Sequence, residues 1–511
     1  MTLLARKRGR LSQNTMTARE SILKKKTIGG VKRITLCFAF IFFAAYNIVS
    51  KAESDAIPNT LASALTHEYK LDNGLKLIVR ENHRAPVAIF QIWYKVGSAD
   101  ESVYQTGLSH VLEHMMFKGT SRVPPGVSSK IIAEYGGEEN AFTTHDYTAY
   151  YQYWNASRLP ISFELEADRM RGLIFPKEEF IKEMQVVMEE RRMRVEDNPT
   201  GTAYERFMAV ANTANPQRNP VIGWMHDLEK LTIEEAKNWY NLWYAPNNAT
   251  IVIIGDVDPE ESFELAKKYF GPIPSKVLPR REPLKEVISL GERRLQIKVP
   301  VRLSNLYMGF NVPSLTTTKE EWEPYALEML VSVLDGGFSA RMEKELIRDK
   351  KIAASIGTSY SAFERGDSLL LISALPNTPN TLATLENAIW EMLEKLKTDP
   401  ISAVEIERVK AQLISEHIYQ MDSIASQATE IGSLESLGLD WRLSETTLEK
   451  IKMITPEQIQ KVAQTYLTKD RLTVAEVIPV EFKIQEVPQN MNGENKTAPA
   501  PITAEANENA E

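Results

Sequence analysis

The sequence predicts an α+β fold with mixed sheets, built as two related halves. Two short β-type runs flank an Asp-Asn-Gly turn at residues 72–74, which is a strong hairpin signal. Helical patterns alternate with apolar strands along the chain, as in the helix 233–243 and the strand 249–254. The order of a Thr, an acidic helix, a Tyr, a short loop and a strand near residue 231 recurs near residue 454. We therefore expect α+β domains with helices packed on antiparallel or mixed sheets.

The first 52 residues differ from the rest in charge and hydropathy. They contain eleven Lys or Arg residues and one acidic residue, and they end in the apolar run 34–49 and a small-x-small motif at 50–52. This pattern predicts a secretory signal peptide that is cut after Ala52, which places the mature chain in the periplasm. The competing interpretations are an uncleaved membrane anchor and a true start at Met16.

Charge and cysteine content exclude some classes of function. Removal of the first 52 residues changes the formal net charge from −8 to about −18, and such an acidic chain is a poor partner for nucleic acid. The single cysteine, Cys37, lies inside the apolar run. The mature chain therefore has no thiol for catalysis and no disulfide.

The strongest chemical signal is the segment 107–120, GLSHVLEHMMFKGT. Its apolar positions predict a buried helix, on which His110 and His114 lie on one face and Glu113 points to the same side. This is the H-x-x-E-H arrangement, in which two His bind Zn²⁺ and the Glu is the general base toward water. The competing interpretation is a pair of ordinary core histidines, although a chain with only seven His rarely contains this motif by chance.

A zinc site needs a third protein ligand. The segment 178–194, EEFIKEMQVVMEERRMR, is a second helical pattern, in which Glu183 and Glu190 are two turns apart and share a face. The competing interpretation is a solvated acidic face. The spacing alone does not choose among Glu183, Glu189 and Glu190.

These segments together resemble the pitrilysin/insulinase family of inverted-motif zinc peptidases, in the branch of the mitochondrial processing peptidase and its bacterial relatives. The likeness spans about residues 65–480 and rests on GLSHVLEHMMFKGT, GGEENAFTTHDYTAYY, QVVMEERRMRVEDNP, VIGWMHDLEKLT and YAPNNATIVIIGDVDPEE. The resemblance implies a zinc metalloendopeptidase, and the predicted signal peptide implies that it is secreted. It also implies two homologous halves, each of two related α+β domains of the LuxS/metallohydrolase type, which form a clamshell.

The resemblance assigns roles to individual residues. It implies one Zn²⁺ per chain, held by His110, His114 and Glu190, with Glu113 as the general base. Glu183 matches a family carboxylate that supports the catalytic site without binding the metal.

The resemblance also points to a substrate-binding strand. In the family, the strand that corresponds to residues 138–143 lies at the sheet edge beside the metal, where an extended peptide pairs with it. Asn140 and Ala141 match the substrate-binding Asn-Ala pair of this strand. His145 follows in the same segment, and we favour a hydrogen-bonding role for it over that of a fourth ligand.

The second half lacks part of the expected machinery. We expect the segment 336–357 to occupy the place of the zinc helix, and it contains no H-x-x-E-H. Arg348 matches a family Arg that engages the substrate backbone, whereas Ser355 stands at the position of its Tyr partner and Tyr360 lies five residues later. The resemblance then implies a zinc-bearing subunit that acts with a homologous subunit carrying the Arg/Tyr pair. The competing interpretation is a non-catalytic structural subunit of the same family.

Composition shifts suggest the domain boundaries. We expect a signal peptide at 1–52, a zinc-binding peptidase half at 53–270, a proline-rich linker at 271–293, an inactive homologous half at 294–482 and a disordered tail at 483–511.

Overall fold

The computed structural model of the chain describes residues 65–287 and 291–480. The predicted signal peptide and the predicted tail lie outside the described residues. Within the described part, no helix combines the length and the apolar character needed to cross a membrane.

The first half contains a six-stranded mixed sheet. Its strands are β1 (Thr66–Lys70), β2 (Lys76–Glu81), β3 (Val87–Tyr94), β4 (Glu138–Thr143), β5 (Thr148–Asn155) and β6 (Ala249–Gly255). They lie in the order β1-β2-β6-β3-β5-β4, with β2 parallel to β6 and the other neighbours antiparallel. The predicted hairpin is confirmed, since β1 and β2 pair with Thr66 opposite Arg80. Strand β4 lies at the edge, as expected.

Helices of the first half pack mainly on one face of this sheet, which carries Leu77, Phe90 and Ile92. They are α1 (Leu108–Met115), α2 (Val127–Glu134), α3 (Leu159–Gly172), α4 (Lys177–Arg191), α5 (Pro199–Ala211), α6 (Met225–Leu228), α7 (Ile233–Trp243) and α8 (Pro259–Tyr269). A π-helical turn at Arg192–Glu196 continues α4. Helix α7 begins where expected, because Thr232 and Glu235 form a capping box at its start.

The second half repeats the plan with a five-stranded sheet. Its strands are β7 (Arg293–Val299), β8 (Asn305–Val312), β9 (Ala353–Ser359), β10 (Ser368–Pro376) and β11 (Leu472–Pro479), in the order β7-β11-β8-β10-β9. Its helices are α9 (Trp322–Asp335), α10 (Leu382–Thr398), α11 (Ala403–Met421), α12 (Ile424–Ser436), α13 (Leu443–Met453) and α14 (Pro456–Tyr466). A π-helical turn spans Glu343–Asp349. The α+β class is confirmed.

Equivalent elements of the two halves confirm the repeat that the sequence predicts. The pair α14–β11 matches α7–β6, and Thr455 caps α14 as Thr232 caps α7. Strand β11 lies between a parallel and an antiparallel neighbour, as β6 does. Two expectations need correction. Among the described residues each half holds one sheet and so one α+β domain, not two. The element that follows β8 as α1 follows β3 is α9, so the segment 336–357 does not replace the zinc helix.

The two halves exchange one helix each. Helix α5 of the first half packs on β7, β8 and β11, where Phe207 contacts Tyr307 and Ala475 within one apolar cluster. Helix α12 of the second half packs on β3 and β6, where Ile431 joins Trp93 in another cluster. Each sheet is therefore covered on one face by its own helices and on the other by a helix from the opposite half.

A glycine makes room for an aromatic ring at both exchanged helices. A Cβ atom on Gly432 of α12 would lie 2.1 Å from Cε2 of Trp93, and one on Gly309 of β8 would lie 2.7 Å from Cζ of Phe207. Both rings are fully buried and have no space to move away. Close packing at these two points therefore requires glycine, which has no Cβ atom.

A buried charge network also joins the halves. The guanidinium of Arg365, in the loop between β9 and β10, donates to Asp100 at 2.6 Å and to Asp146 at 3.3 Å. Arg281, in the segment before β7, donates to the Asp100 carboxylate at 3.1 Å. Asp100 lies just before α1 and Asp146 just after β4, so the network fixes loops on both sides of the H-x-x-E-H helix.

A cavity of about 800 Å³ lies in the second half, between α9, α11, α12 and α13. Glu328 and Glu430 line it together with both apolar and polar side chains. Burial raises the pKa of each of these two carboxyl groups to about 7. A carboxyl group whose pKa is higher in the folded than in the unfolded chain binds more protons when folded, so it lowers stability as pH rises from about 4.3 toward 7.

Substitution Gly432→Ala should destabilise the protein, although Ala is normally the better helix former. The added methyl group would overlap the buried ring of Trp93, and we expect a loss of about 1–3 kcal/mol in the free energy of unfolding. Urea denaturation measures the change. Gly172→Ala is the matched control, because its Cβ would meet no atom closer than 3.5 Å. Equal stability of the wild type and Gly432→Ala would contradict this packing.

Substitution Glu328→Gln should make stability less dependent on pH. We expect the free energy of unfolding of the variant, relative to that of the wild type, to rise by about 1–3 kcal/mol between pH 5 and pH 8.5. The reason is that the cost of ionising a buried carboxyl group is removed. Denaturation at both pH values measures the difference. Glu416→Gln, at an exposed position on the rim of the cavity, is the control. The prediction is refuted if the free energies of unfolding of Glu328→Gln and the wild type differ by the same amount at both pH values.

Candidate metal centre

Helix α1 is anchored at its N-terminus before it reaches the candidate site. The Glu101 carboxylate accepts hydrogen bonds from the backbone N–H groups of Gly107 at 2.8 Å and Ser109 at 2.7 Å. Gly107 has a φ of 89°, in the left-handed region that favours glycine. Burial raises the pKa of Glu101 to about 8. Two of the N–H groups at the start of the helix are thus satisfied, and the helix that carries both histidines has a fixed start.

The structure brings His110, His114 and Glu190 together. Nε2 of His110 lies 3.7 Å and Nε2 of His114 lies 3.6 Å from the same Glu190 oxygen, Oε2. One donor atom from each residue lies within 4.8 Å of the other two. The histidines come from α1 and the carboxylate comes from α4, which packs beside it.

This donor set fits a zinc ion. A tetrahedral Zn²⁺ with Zn–N bonds of about 2.0–2.1 Å separates its ligand atoms by about 3.3 Å, close to the two distances of 3.6 and 3.7 Å from the histidines to Glu190. Burial lowers the pKa of His110 to about 3, so its imidazole is neutral at pH 7 and keeps a free electron pair for a metal. The arrangement can therefore hold a metal through three protein ligands and leave a fourth position open.

Two ion pairs, Glu183–Lys118 and Glu190–Arg194, orient the residues of the donor set. Glu183 accepts a hydrogen bond from Nδ1 of His114 at 3.1 Å, which leaves the electron pair of the neutral ring on Nε2, toward Glu190. Lys118 lies 2.6 Å from the other oxygen of Glu183. Arg194 lies 2.5 Å from Oε1 of Glu190, so Oε2 is the oxygen left to face the histidines.

Glu113 is buried beside this cluster. Its Oε2 accepts a hydrogen bond from the Thr143 hydroxyl at 2.5 Å, and its charge interacts with those of His114 and Glu190. Burial raises the pKa of Glu113, despite the hydrogen bond from Thr143. A carboxylate with these properties can accept a proton more readily than an exposed Glu.

The edge strand β4 runs beside α1 and alternates between two environments. Ala141 packs against the core under α1, whereas Phe142 packs against Trp93 on the opposite face of the sheet. The Asn140 side chain accepts a hydrogen bond from the backbone N–H of Ala141 at 2.9 Å, at an exposed position. The two residues predicted to bind substrate thus lie at the accessible edge of the sheet, next to the donor set.

His145 lies outside the donor set, as we favoured. Its Nδ1 lies 2.8 Å from the Ser98 hydroxyl, and its backbone oxygen accepts from Ala99. Burial lowers the pKa of His145. The described residues place this imidazole in a hydrogen-bonding role.

The predicted substrate residue of the second half is held within its own domain. Arg348 stacks on Phe338, with its guanidinium carbon 3.7 Å from the ring centroid, and donates to the Phe338 carbonyl at 2.7 Å. Ser355 lies exposed on the edge strand β9. The Tyr360 hydroxyl donates to the Pro313 carbonyl at 2.7 Å.

Thr143, Lys118 and Arg194 are parts of the site that sequence reasoning missed. Lys118 follows His114 by four residues and Arg194 follows Glu190 by four, so helical spacing carried a signal for both. Thr143 shares a strand face with Ala141, two residues earlier, but its bond to Glu113 depends on the tertiary fold.

Two family models match consecutive parts of this chain. A family model described as insulinase (peptidase family M16) matches residues 76–223, and one described as peptidase M16 inactive domain matches residues 230–413. The zinc protease PqqE of Helicobacter pylori is 34% identical over 364 residues, which cover 70% of this chain and 80% of that protein.

Solved structures show the same fold. The crystal structure of a protease from Helicobacter pylori aligns with a TM-score of 0.76 and 29% identity, over 81% of this chain and 99% of that one. The periplasmic protease PqqL from Escherichia coli aligns with a TM-score of 0.70 and 19% identity, over 81% of this chain and 47% of that one. The sequence matches cover both halves and include the H-x-x-E-H segment, and the chain therefore belongs to the insulinase family of peptidases, M16.

Proposed function

We propose that this chain is a zinc-dependent endopeptidase that cleaves extended peptides. The observation that carries the proposal is the convergence of His110, His114 and Glu190 within 4.8 Å, with the Glu113 carboxylate buried beside them. The names of relatives such as the zinc protease PqqE support zinc as the metal. The chain would hold one Zn²⁺.

The residues of the site then have defined tasks. Zn²⁺ bound here would polarise the scissile carbonyl group and lower the pKa of a water molecule from about 15.7 toward 7. Glu113 takes a proton from the attacking water and delivers it to the leaving amine. Its raised pKa favours the first transfer. Glu183 fixes the ring of His114, and Arg194 fixes Glu190.

Strand β4 defines the class of substrate. A peptide in extended conformation can add to this edge through backbone hydrogen bonds, beside Asn140 and Ala141. A folded domain has no free extended segment of this kind, so unfolded peptides and small unstructured proteins are the expected substrates. Asn140 would release the N–H of Ala141 when the carbonyl group of a substrate takes its place.

A homologous partner subunit would complete the enzyme. Ser355 offers no phenol hydroxyl, the hydroxyl of Tyr360 is used by Pro313, and Arg348 is engaged by Phe338. The chain spans only 47% of PqqL, so PqqL contains a second portion of similar size. We propose that a homologous chain with an Arg/Tyr pair associates with the zinc-bearing chain and supplies these substrate contacts.

The periplasm is the proposed location. The basic lead and apolar run at residues 1–52 support export, and PqqL is described as a periplasmic protease. Retention of the apolar run would instead tether the same domain to the membrane.

Substitution Glu113→Gln should abolish cleavage and keep the metal. We expect one zinc per chain in both proteins and a fall of about 100-fold or more in kcat, because the general base is lost. Metal analysis and cleavage of an unstructured fluorogenic peptide, in the presence of the partner where one is required, measure both. Cleavage at the wild-type rate by zinc-loaded Glu113→Gln would refute the role of Glu113.

Matched substitutions separate the three glutamates of α4. Glu190→Gln should lose zinc, whereas Glu189→Gln should keep both zinc and activity, because Glu189 is exposed and pairs only with Arg192 among the described residues. Glu183→Gln should bind zinc about 10–100-fold more weakly, as expected for a group that orients a ligand. Loss of zinc in Glu189→Gln and not in Glu190→Gln would reverse the assignment.

The isolated zinc-bearing chain should cleave slowly. We expect addition of a homologous chain that has the Arg/Tyr pair and lacks H-x-x-E-H to raise kcat/KM by about tenfold or more, because substrate contacts are supplied in trans. Peptide cleavage and analytical ultracentrifugation of the mixture measure the effect. Full activity of the chain alone, unchanged by the homologue, would contradict the two-subunit proposal and leave the zinc site in place.

A further inference from the structure

Thr143 connects the substrate strand to the general base. It is the last residue of β4, and its hydroxyl donates to Oε2 of Glu113 at 2.5 Å. Ala141, on the same strand face, packs against the core beneath α1. Among the described residues, no other side-chain hydrogen bond to the Glu113 carboxylate is present.

Thr143 contacts a series of hydroxyl groups that are buried in the core. Thr148 lies directly opposite Thr143 in the β4–β5 register, with the two hydroxyl oxygens 3.4 Å apart. Thr148 donates to the Val96 carbonyl at 3.0 Å and also contacts the Tyr244 hydroxyl. The Tyr150 hydroxyl lies 2.9 Å from that of Tyr244, and both rings are buried. The Thr143 hydroxyl therefore lies between the Glu113 carboxylate and this group of buried hydroxyls.

The number of available protons fixes the direction of the hydrogen bond between Thr143 and Glu113. A threonine hydroxyl has one proton, and an ionised carboxylate can only accept. Thr148 uses its proton on the Val96 carbonyl, so it does not donate to Thr143 or compete for Glu113. Thr143 therefore donates to Oε2 and leaves Oε1 of Glu113 free to take a proton from water.

We propose that Thr143 is a positioning residue that couples peptide binding on β4 to proton transfer by Glu113. The proposal rests on the peptidase function proposed above. A peptide that pairs with the edge fixes the strand whose last residue orients the base. Thr143 keeps its own proton throughout the reaction.

The proton transfers balance with Oε1 as the carrier. The water oxygen bonds to the carbonyl carbon while one water proton passes to Oε1 of Glu113. The C–N bond then breaks, and the same proton passes from Oε1 to the leaving amine. Glu113 returns to its ionised state, with Oε2 still held by Thr143.

The test uses Thr143→Val and Thr143→Ser in the zinc-loaded full chain, with the homologous partner where one is required. Valine has the shape of threonine without the hydroxyl donor, and serine keeps the donor. We expect Thr143→Val to lower kcat about tenfold or more while KM and zinc content stay within about twofold of wild type. Thr143→Ser should recover most of the lost kcat. Thermal unfolding of both variants checks that the fold is intact.

The outcomes separate this proposal from the function on which it rests. Wild-type kcat in Thr143→Val, or an equal loss of kcat in Thr143→Ser and Thr143→Val, would overturn the positioning role and leave the peptidase function standing. A parallel loss of zinc and of kcat in Thr143→Val would assign Thr143 a structural role and also overturn the proposal. Absence of cleavage by the zinc-loaded wild type with its partner would overturn both.

Discussion

The exchange of helices between the two halves is the constraint on which the rest of the structure depends. The sheet that carries β4 is packed on one face by α1 and its neighbours and on the other by α12. Neither half buries both faces of its sheet alone. The donor set of His110, His114 and Glu190 lies on helices α1 and α4, which pack on one face of this sheet, while α12 of the opposite half packs on its other face. Such support holds the three side chains in a fixed arrangement.

Charge balance explains how the site tolerates its carboxylates. Glu183 and Glu190 each face a histidine with one oxygen and a basic side chain with the other. Each carboxylate is therefore compensated without a metal and still directs one oxygen at the imidazoles. Helix α9 occupies the equivalent position in the second half. Its buried residues are mainly Leu, Met and Val, and they pack in the core of that half.

Local patterns predicted much of the fold and the two histidines of the donor set, whereas the choice of Glu190 came from the family resemblance. The spacing of His110 and His114, the hairpin at β1–β2 and the helix α7 depend on neighbours a few residues apart, and periodicity reveals such neighbours. The exchanged helices were not predicted, because their apolar faces do not specify which sheet they cover. The expectation of two domains per half came from the resemblance alone. Thr143 was missed because its bond to Glu113 joins residues 30 positions apart and depends on the tertiary fold.

Because α12 covers the sheet of the first half, the packing of that sheet depends on a segment that is synthesised late. The first sheet is complete once β6 has been synthesised, yet α12 begins at Ile424, far along the chain. At about 5–20 residues per second, ribosomal synthesis of the intervening segment takes on the order of ten seconds or more. Until then α12 does not cover the sheet face around Trp93, so this apolar face must be shielded from other chains or the sheet must remain unfolded. The first half therefore cannot complete its packing before α12 has been made.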